Sequence, residues 1–460
     1  MRPTTLVEVA RILDAELTAG GGDALVRGAA ADSRAVREGD LFFALRGRTD
    51  GADFAPEAYL RGAVAAVAGR PLEVPTLVVG DPLEAMQRLA RWTLLREGAT
   101  APLVVGITGT VGKTTTKDAL AAVLRYARKK VSATAGNFNN EIGLPLTVLT
   151  ADSRTEVLVL EMGATHVGDI AHLCGIAQPT IGILTAVSPV HLDSFGSLDA
   201  LAAAKGELAL ALPEDGSLVS PVGVPEAATG SGRNLKRRIA FSREDSEGAD
   251  LWASGIEERE EGLRFLAHLG DHRSAEVRSP AFGTHLVEPL LAALGGALAL
   301  GLDLEECAKG VSRLRRTGLR GEVYRLRDDI VVYDDSYNAS PAAVAAVLRY
   351  GAEHAAHQSR RLVAVLGGMF ELGPMARAYH QEAGQLAKEV GVNLLVCVGH
   401  EARWYAEAFS GETLYYDDAR AAAYDLQEKL HGRDYVIVKG SRGVKLDLLT
   451  RKLKESLALV

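Results

Sequence analysis

Residues 101–117, Ala-Pro-Leu-Val-Val-Gly-Ile-Thr-Gly-Thr-Val-Gly-Lys-Thr-Thr-Thr-Lys, limit what this chain can fold into more than any other stretch. The apolar run Leu103–Ile107 predicts a buried strand, and the residues from Asp118 to Arg125 predict a helix. Between them lie a turn with Gly109 and Gly112, then Lys113 and three threonines. Strand, glycine turn, Lys-Thr and helix, in that order, form a nucleotide phosphate cradle. Backbone N–H groups of the turn and of the helix N-terminus point at anionic oxygens. Lys113 adds positive charge at the outer phosphates, and the Thr114 hydroxyl can hold Mg²⁺. The strict pattern has glycine where this chain has Ile107, so the loop is a Thr-Gly-Thr-x-Gly-Lys-Thr variant. Its candidate ATP-binding residues are Gly109, Thr110, Val111, Gly112, Lys113, Thr114 and Thr115. A plain glycine turn with a surface lysine would not need each chemical type where the phosphates require it.

A chain of 460 residues exceeds what one compact core usually needs, so about three domains are expected. Its 47% hydrophobic and 24% charged residues fit a soluble globular protein, and a net charge of −8 argues against general nucleic-acid binding. The basic clusters at Lys236–Arg238 and Arg313–Arg320 read as solvated connectors. Cys174, Cys307 and Cys397 have no metal or redox spacing, which fits a reducing compartment. The N-terminal residues lack the apolar core of a signal peptide, and the apolar stretch Pro289–Leu302 is too short to span a bilayer. A cytoplasmic monomer that is not inserted in a membrane is expected.

The first block runs to residue 98. It offers strand-like runs at Leu41–Leu45, Ala63–Val67 and Thr76–Val79, then a helix over Pro82–Glu97 and a linker, Gly98–Pro102. The second block, 99–318, alternates strand and helix signals at Thr155–Glu161, Ile170–Cys174 and Thr180–Ala186, which predicts a parallel sheet with crossover helices. Pro213–Glu261 reads as loops and short strands, and the residues around Leu290 as a buried helix. The third block, 319–460, is a doubly wound unit. Its strands are expected at Ile330–Tyr333, Leu362–Leu366, Leu394–Val398 and Tyr435–Val438, and its helices at Ala342–His354, Tyr379–Val390, Ala402–Phe409 and Ala421–His431. Ligands of such sheets collect at the carboxyl ends of the strands. The loops there are Asp334–Asn338, Gly367–Gly373 and Lys439–Gly443.

These elements resemble the Mur ligase family, ATP-dependent ligases that extend the peptide of the bacterial cell-wall precursor, across all three blocks. The resemblance rests on Asp32-Ser-Arg34, Gly39–Leu45, Gly106–Lys117, Gly136-Asn-Phe-Asn-Asn-Glu-Ile-Gly-Leu-Pro145, Leu160-Glu-Met-Gly163, His191–Ser197, Ala204-Lys-Gly-Glu207, Asp334-Asp-Ser-Tyr-Asn-Ala-Ser-Pro341 and Val438-Lys-Gly-Ser-Arg442. The Asn-Asn-Glu-Ile-Gly and Asp-Asp-Ser-Tyr-Asn elements are most like the dipeptide-adding branch, and the Asp-Asn-Pro-Arg signature of the diamino-acid-adding branch is missing.

The resemblance implies a mixed α/β domain that binds a UDP-sugar, a central P-loop ATPase domain and a Rossmann-like domain for the incoming amine. The implied reaction forms a C–N bond between UDP-N-acetylmuramoyl-tripeptide and D-alanyl-D-alanine, through an acyl phosphate, with ATP and two Mg²⁺ ions. Thr114, Glu161, His191 and Lys205 would serve the metals, Glu161 directly or through water and Lys205 as a carbamate formed with CO₂. Lys113, Glu161, His191 and Lys205 form the implied catalytic set. Arg320 would lie near the ATP phosphates or ribose, and Asp335 on the ribose. The family's adenine element reads Gly283-Thr-His-Leu286 here, its asparagine replaced, which leaves His285 for that contact. Asn137, Asn139, Asn140, Glu141, Asn338, Ser33 and Arg34 are implied in substrate binding. The first-domain loop departs from the family as Asp50-Gly-Ala-Asp-Phe54.

Two competing readings give different expectations. A sister ligase would accept another amino acid, such as glutamate or diaminopimelate. A nucleotide-dependent switch would hydrolyse ATP slowly and ignore both peptides. Glu161, His191 and Lys205 have no evident task in a switch.

Overall fold

The structure, a computed structural model, describes residues 1–18, 21–47, 49–95, 101–188, 195–230, 232–259, 261–270, 272–315 and 321–458. The expected boundaries at 98/99 and 318/319 lie outside the described residues.

The first sheet has five strands: β1 (Glu16–Leu17), β2 (Gly28–Ala30), β3 (Asp40–Phe43), β4 (Ala65–Ala68) and β5 (Thr76–Val78), in the order β1-β5-β4-β3-β2. Helix α1 (Leu6–Leu13), not foreseen from the sequence, turns Leu6, Val9 and Leu13 inward and is capped by the Thr5 hydroxyl. Helix α2 (Pro82–Leu95) buries Ala85, Met86, Leu89 and Ala90, spaced as a single apolar stripe. That stripe shares a core with Leu144, Val148, Leu158 and Ile170 of the second unit, so the two units are joined by apolar packing.

The second unit is built on nine strands. In chain order it comprises β6 (Leu103–Thr108), α3 (Lys113–Tyr126), β7 (Val131–Ala133), α4 (Gly143–Thr150), β8 (Val157–Glu161), α5 (Asp169–Ala177), β9 (Ile181–Leu184), α6 (Leu198–Ala211), β10 (Ser217–Pro221), β11 (Arg237–Ser242), β12 (Leu251–Arg259), β13 (Gly262–Leu269), β14 (Arg273–Ser279), α7 (Val287–Ala299) and α8 (Leu304–Val311). The sheet order is β14-β13-β12-β11-β10-β9-β6-β8-β7. It is parallel from β7 to β12, as the alternating pattern predicts, and antiparallel where β12, β13 and β14 pair.

The antiparallel part differs from expectation. Pro213–Glu261 carries the short strands β10 and β11, as expected, but β12 is nine residues long and opens an antiparallel β12–β13–β14 extension that was not foreseen. Charged residues on one face obscured the period: Ala253, Phe265, Ala267 and Val277 point into the core, while Glu257, Arg264 and Glu276 stand in solvent. Helix α7 is buried as expected. Gly295 and Gly296 let it lie against Val219 and Ile183 of the sheet, where an added Cβ would come within 2.6 and 2.5 Å of those side chains.

The third unit is a six-stranded sheet flanked by helices. Its elements are β15 (Glu322–Leu326), β16 (Ile330–Asp335), α9 (Pro341–His357), β17 (Leu362–Gly367), α10 (Ala376–Glu389), β18 (Leu394–Val398), α11 (Arg403–Ala408), β19 (Glu412–Tyr416), α12 (Ala419–Lys429), β20 (Tyr435–Lys439) and α13 (Asp447–Ser456). The order is β15-β16-β20-β17-β18-β19, with only the β15–β16 pair antiparallel. The expected strands and helices are present. Two edge strands, β15 and β19, and helix α13 were not foreseen, because edge strands carry polar residues on their open side. Among the described residues no helix is long and apolar enough to cross a membrane.

Candidate active site

One cleft of about 1030 Å³ is lined by all three units: Gln87 of α2, the glycine turn, Lys205 of α6, and Asp335, Phe370 and Lys439 at strand ends of the third sheet. Its size slightly exceeds that of a common small-molecule site. That matches a place where a nucleotide and a second substrate meet.

At one wall β6 runs into the turn and then into α3. Gly109 and Gly112 hold φ of +140° and +84°, a backbone that side chains rarely adopt. A Cβ at Gly109 would lie 2.1 Å from Thr185 Oγ1. The turn is stitched to the end of β9. Thr110 N–H donates to Ala186 O at 3.0 Å, and Thr185 Oγ1 donates to Val111 O at 2.5 Å. No side chain caps the N-terminus of α3. Its first N–H groups therefore suit an anion. The Lys113 ammonium folds back on Gly109 O at 2.7 Å.

Strand pairing sets the next component. Thr114 Oγ1 donates to Glu161 Oε2 at 2.8 Å, and Asn139 Nδ2 donates to Glu161 Oε1 at 2.9 Å. Glu161 is buried, and its own N–H donates to Thr134 Oγ1 at 2.9 Å. Lys117 is buried behind this set. Its ammonium reaches Thr134 O at 2.8 Å and Asp118 Oδ1 at 2.7 Å. The asparagine loop is fixed by Asn140 Oδ1, which accepts from Gly143 N–H at 2.9 Å, and by Gln87 Nε2, which donates to Glu141 O at 3.0 Å. Asn137, Asn139, Asn140 and Glu141 all line the cleft.

Lys205 is buried in α6 and faces the cleft. Its Nζ lies 5.4 Å from the Phe195 ring centroid and 3.5 Å from Ala164 O. Burial, and next the charge of Lys113, push this ammonium down to about 7, against the pull of Asp169 and Glu207. An amine in that range is substantially neutral near physiological pH, the form that attacks CO₂.

The opposite wall belongs to the third sheet. Lys439, buried at the end of β20, pairs with the Asp335 carboxylate and donates to Asn338 O at 2.9 Å. Lys439 lay in a motif singled out from the sequence, but its partner 104 residues away was not legible there. His285 lines the same cleft, and burial lowers its pKa. Gly283, at φ +105°, leaves room for that ring, since a Cβ there would lie 2.3 Å from His285 Cε1.

Lys113, Thr114, Glu161, Lys205, His285, Asp335 and Asn338 are thus brought to one cleft. Ser33 and Arg34 are not among its lining residues. Ser33 Oγ donates to Glu57 Oε2 at 2.8 Å, and exposed Arg34 pairs with Asp32 at 2.7 Å. His191 and Arg320 lie outside the described residues.

The donor set fits a magnesium–nucleotide pair. A hydroxyl and a carboxylate in contact are hard oxygen donors suited to Mg²⁺. The uncapped helix head and the glycine positions that leave no room for a Cβ suit phosphates. Among the described residues no three His, Cys, Asp or Glu side chains gather as a metal cluster.

Comparison with known proteins gives a consistent result along the chain. Residues 26–91 match the Mur ligase family catalytic domain, 107–297 the Mur ligase middle domain, and 319–442 the Mur ligase glutamate ligase domain. The chain is 36% identical to the UDP-N-acetylmuramoyl-tripeptide–D-alanyl-D-alanine ligase of Mycobacterium tuberculosis, over 90% of this chain and 89% of that one. A crystal structure of MurF from Acinetobacter baumannii superposes with a TM-score of 0.86 at 27% identity, covering 99% of this chain and 100% of that one. MurF ligase from Thermotoga maritima in complex with ADP gives 0.79 at 29% identity, covering 94% and 97%. With its three-part α/β architecture and its relatives matched nearly end to end, the chain belongs to the Mur ligase family.

Proposed function

We propose that this protein is an ATP-dependent ligase that joins D-alanyl-D-alanine to UDP-N-acetylmuramoyl-tripeptide in peptidoglycan precursor synthesis. The observation that carries this reading is the single cleft that places the glycine turn, Glu161 and Lys205 across from Asp335 and Lys439. Relatives named for this reaction, and a neighbour that holds ADP, support it.

On this reading residues 1–98 bind the UDP-sugar, 99–318 bind ATP, and 319–460 bind the incoming dipeptide. Lys113 and the N–H groups at the head of α3 hold the outer phosphates. Asp335 and His285 hold the nucleoside. Thr114 and Glu161 would hold one Mg²⁺, and Lys205 as a carbamate, with His191, a second; when bound, the ions would neutralise phosphate charge. The peptide carboxylate displaces ADP from the γ-phosphorus, and the dipeptide amine then displaces phosphate from the acyl carbon. Both steps bring anions or partial charges together, so positioning and positive charge supply most of the catalysis. The asparagine loop and Asn338 line the path of the peptide. The protein acts in the cytoplasm, as a monomer.

A phosphate-release assay tests the reading. D-alanyl-D-alanine should release phosphate only when UDP-tripeptide and ATP are both present. Preferential use of free glutamate or diaminopimelate would assign a sister activity. Slow ATP hydrolysis indifferent to both peptides would assign a switch.

A further inference from the structure

The loop that follows β17 is fixed at consecutive peptide groups. Tyr405 Oη donates to Gly367 O at 3.1 Å, and Ser441 N–H donates to Gly368 O at 3.1 Å. Met369 N–H donates to His380 Nε2 at 2.9 Å, and Phe370 N–H donates to Ser441 Oγ at 2.9 Å. His380 is fully buried, and its Nδ1 bonds Ala376 O at 2.6 Å. Because that carbonyl can only accept, Nδ1 carries the proton and Nε2 is left as an acceptor. The next residue, Glu371, adopts φ +63°, a backbone that costs a non-glycine residue energy and persists only where its surroundings impose it.

Phe370 and Glu371 line the cleft. In the sheet order β16-β20-β17 their loop lies across Lys439 from Asp335, one strand beyond the nucleoside side. An apolar ring beside a carboxylate suits a small dipeptide with methyl side chains and a terminal ammonium.

We propose that His380 and Tyr405 are positioning residues that hold the Met369–Glu371 segment as the wall receiving the incoming dipeptide. This rests on the ligase reading above. Neither residue touches substrate; His380 acts through the Met369 N–H and Tyr405 through the Gly367 carbonyl, where β17 passes into the loop.

The test is steady-state kinetics of the full-length chain carrying His380→Leu, His380→Gln or Tyr405→Phe. Losing one such hydrogen bond should raise KM for D-alanyl-D-alanine about tenfold in His380→Leu and Tyr405→Phe. KM for ATP and for UDP-tripeptide should stay within about twofold, well inside one hydrogen bond's worth. His380→Gln, whose amide oxygen can accept from Met369 N–H, should recover part of the loss. An unchanged dipeptide KM, or an equal rise in all three KM values, overturns the proposal. Should His380→Leu fail to fold, Tyr405→Phe decides, since it keeps the ring and removes one hydroxyl. Hydroxylamine trapping of the acyl phosphate by the unmodified protein, with ATP and UDP-tripeptide but no dipeptide, separates the two claims. No trapped product sinks the ligase reading; trapped product with an unchanged dipeptide KM in the variants sinks only the positioning roles.

Discussion

Thr114 and Glu161 meet at 2.8 Å because Glu161 stands opposite Ile107 in the parallel ladder of β8 and β6. The strand that feeds the glycine turn and the strand that ends in the carboxylate finish at the same level. Helix α3 then begins directly above both, so the hydroxyl of its first turn falls on the carboxylate. A one-residue slip of β8 would turn Glu161 to the other face of the sheet.

Glu161→Gln keeps the shape and one hydrogen-bond acceptor but removes the charge. The expected outcome is a 10- to 100-fold higher Mg²⁺ concentration for half-saturation, roughly the loss of affinity seen when a metal's supporting groups are altered. Titrating Mg²⁺ against phosphate release checks it. Saturation at the same Mg²⁺ concentration as the unmodified protein would remove Glu161 from the metal site.

Gly109→Ala tests the turn itself. Alanine would have to hold φ +140° with its methyl 2.1 Å from Thr185 Oγ1, so the turn must move. The strain should cost about 1–3 kcal/mol of stability. If the turn cradles phosphate as proposed, ATP affinity should fall further than the melting temperature implies, because the change displaces the backbone that would meet it. Calorimetric titration with ATP alongside thermal unfolding measures both, and unaltered ATP binding would count against the cradle.

Lys205 gives a pH-dependent expectation. Its ammonium is pushed down to about 7, first by burial and then by Lys113, so the neutral amine dominates above that pH and the cation below it. Carbamate formation needs the neutral amine. Occupancy, read as one added carboxyl group by native mass spectrometry in bicarbonate, should therefore rise as pH climbs through about 7. Lys205→Ala should lower ligation at least about 100-fold, as loss of a group at the transferring phosphoryl would. Short carboxylates should restore part of the rate. A Lys205→Met variant that keeps full activity would end the idea.

Where the sequence was legible, local chemistry and local geometry coincided. The run Leu103–Thr116 spells strand, turn and helix within fourteen neighbouring positions, and each residue's task follows from its own type. The third sheet was readable for a similar reason: Ile330–Tyr333, Leu362–Leu366, Leu394–Val398 and Tyr435–Val438 are buried and appear as unbroken apolar runs. What could not be read were relationships across distance. Lys117 looks like an ordinary helical lysine until Thr134 and Asp118 enclose it. Lys439 needs Asp335, and His380 needs Met369, and only the fold brings each pair together. Strands β13 and β14 stayed hidden because Arg264, Glu276 and Arg278 pair with one another on the solvent face and dilute the apolar alternation.

The second and third units are also joined by a titratable contact, between Glu258 on β12 and His354 on α9, at 3.3 Å. Burial alone would lower the His354 pKa. The nearby Glu258 carboxylate, the Tyr350 carbonyl and the charge of Glu353 outweigh it, so the pKa is raised. A histidine with a raised folded-state pKa adds stability that is complete below its unfolded value, about 6.5, and is lost as pH rises through the folded value. The contact should therefore be strongest in mild acid and fade in mild alkali. Glu258 also accepts from Gly283 N–H at 3.1 Å, so loosening it frees the turn that carries His285. Glu258→Gln should lower stability by about 1.5 kcal/mol near pH 6, the worth of a hydrogen bond to a charged group, and by much less near pH 8.5. Thermal unfolding of both proteins across that range measures the gap. A gap that stays constant with pH would mean that Glu258 acts through Gly283 alone, and that protonated His354 contributes nothing to holding the two units together.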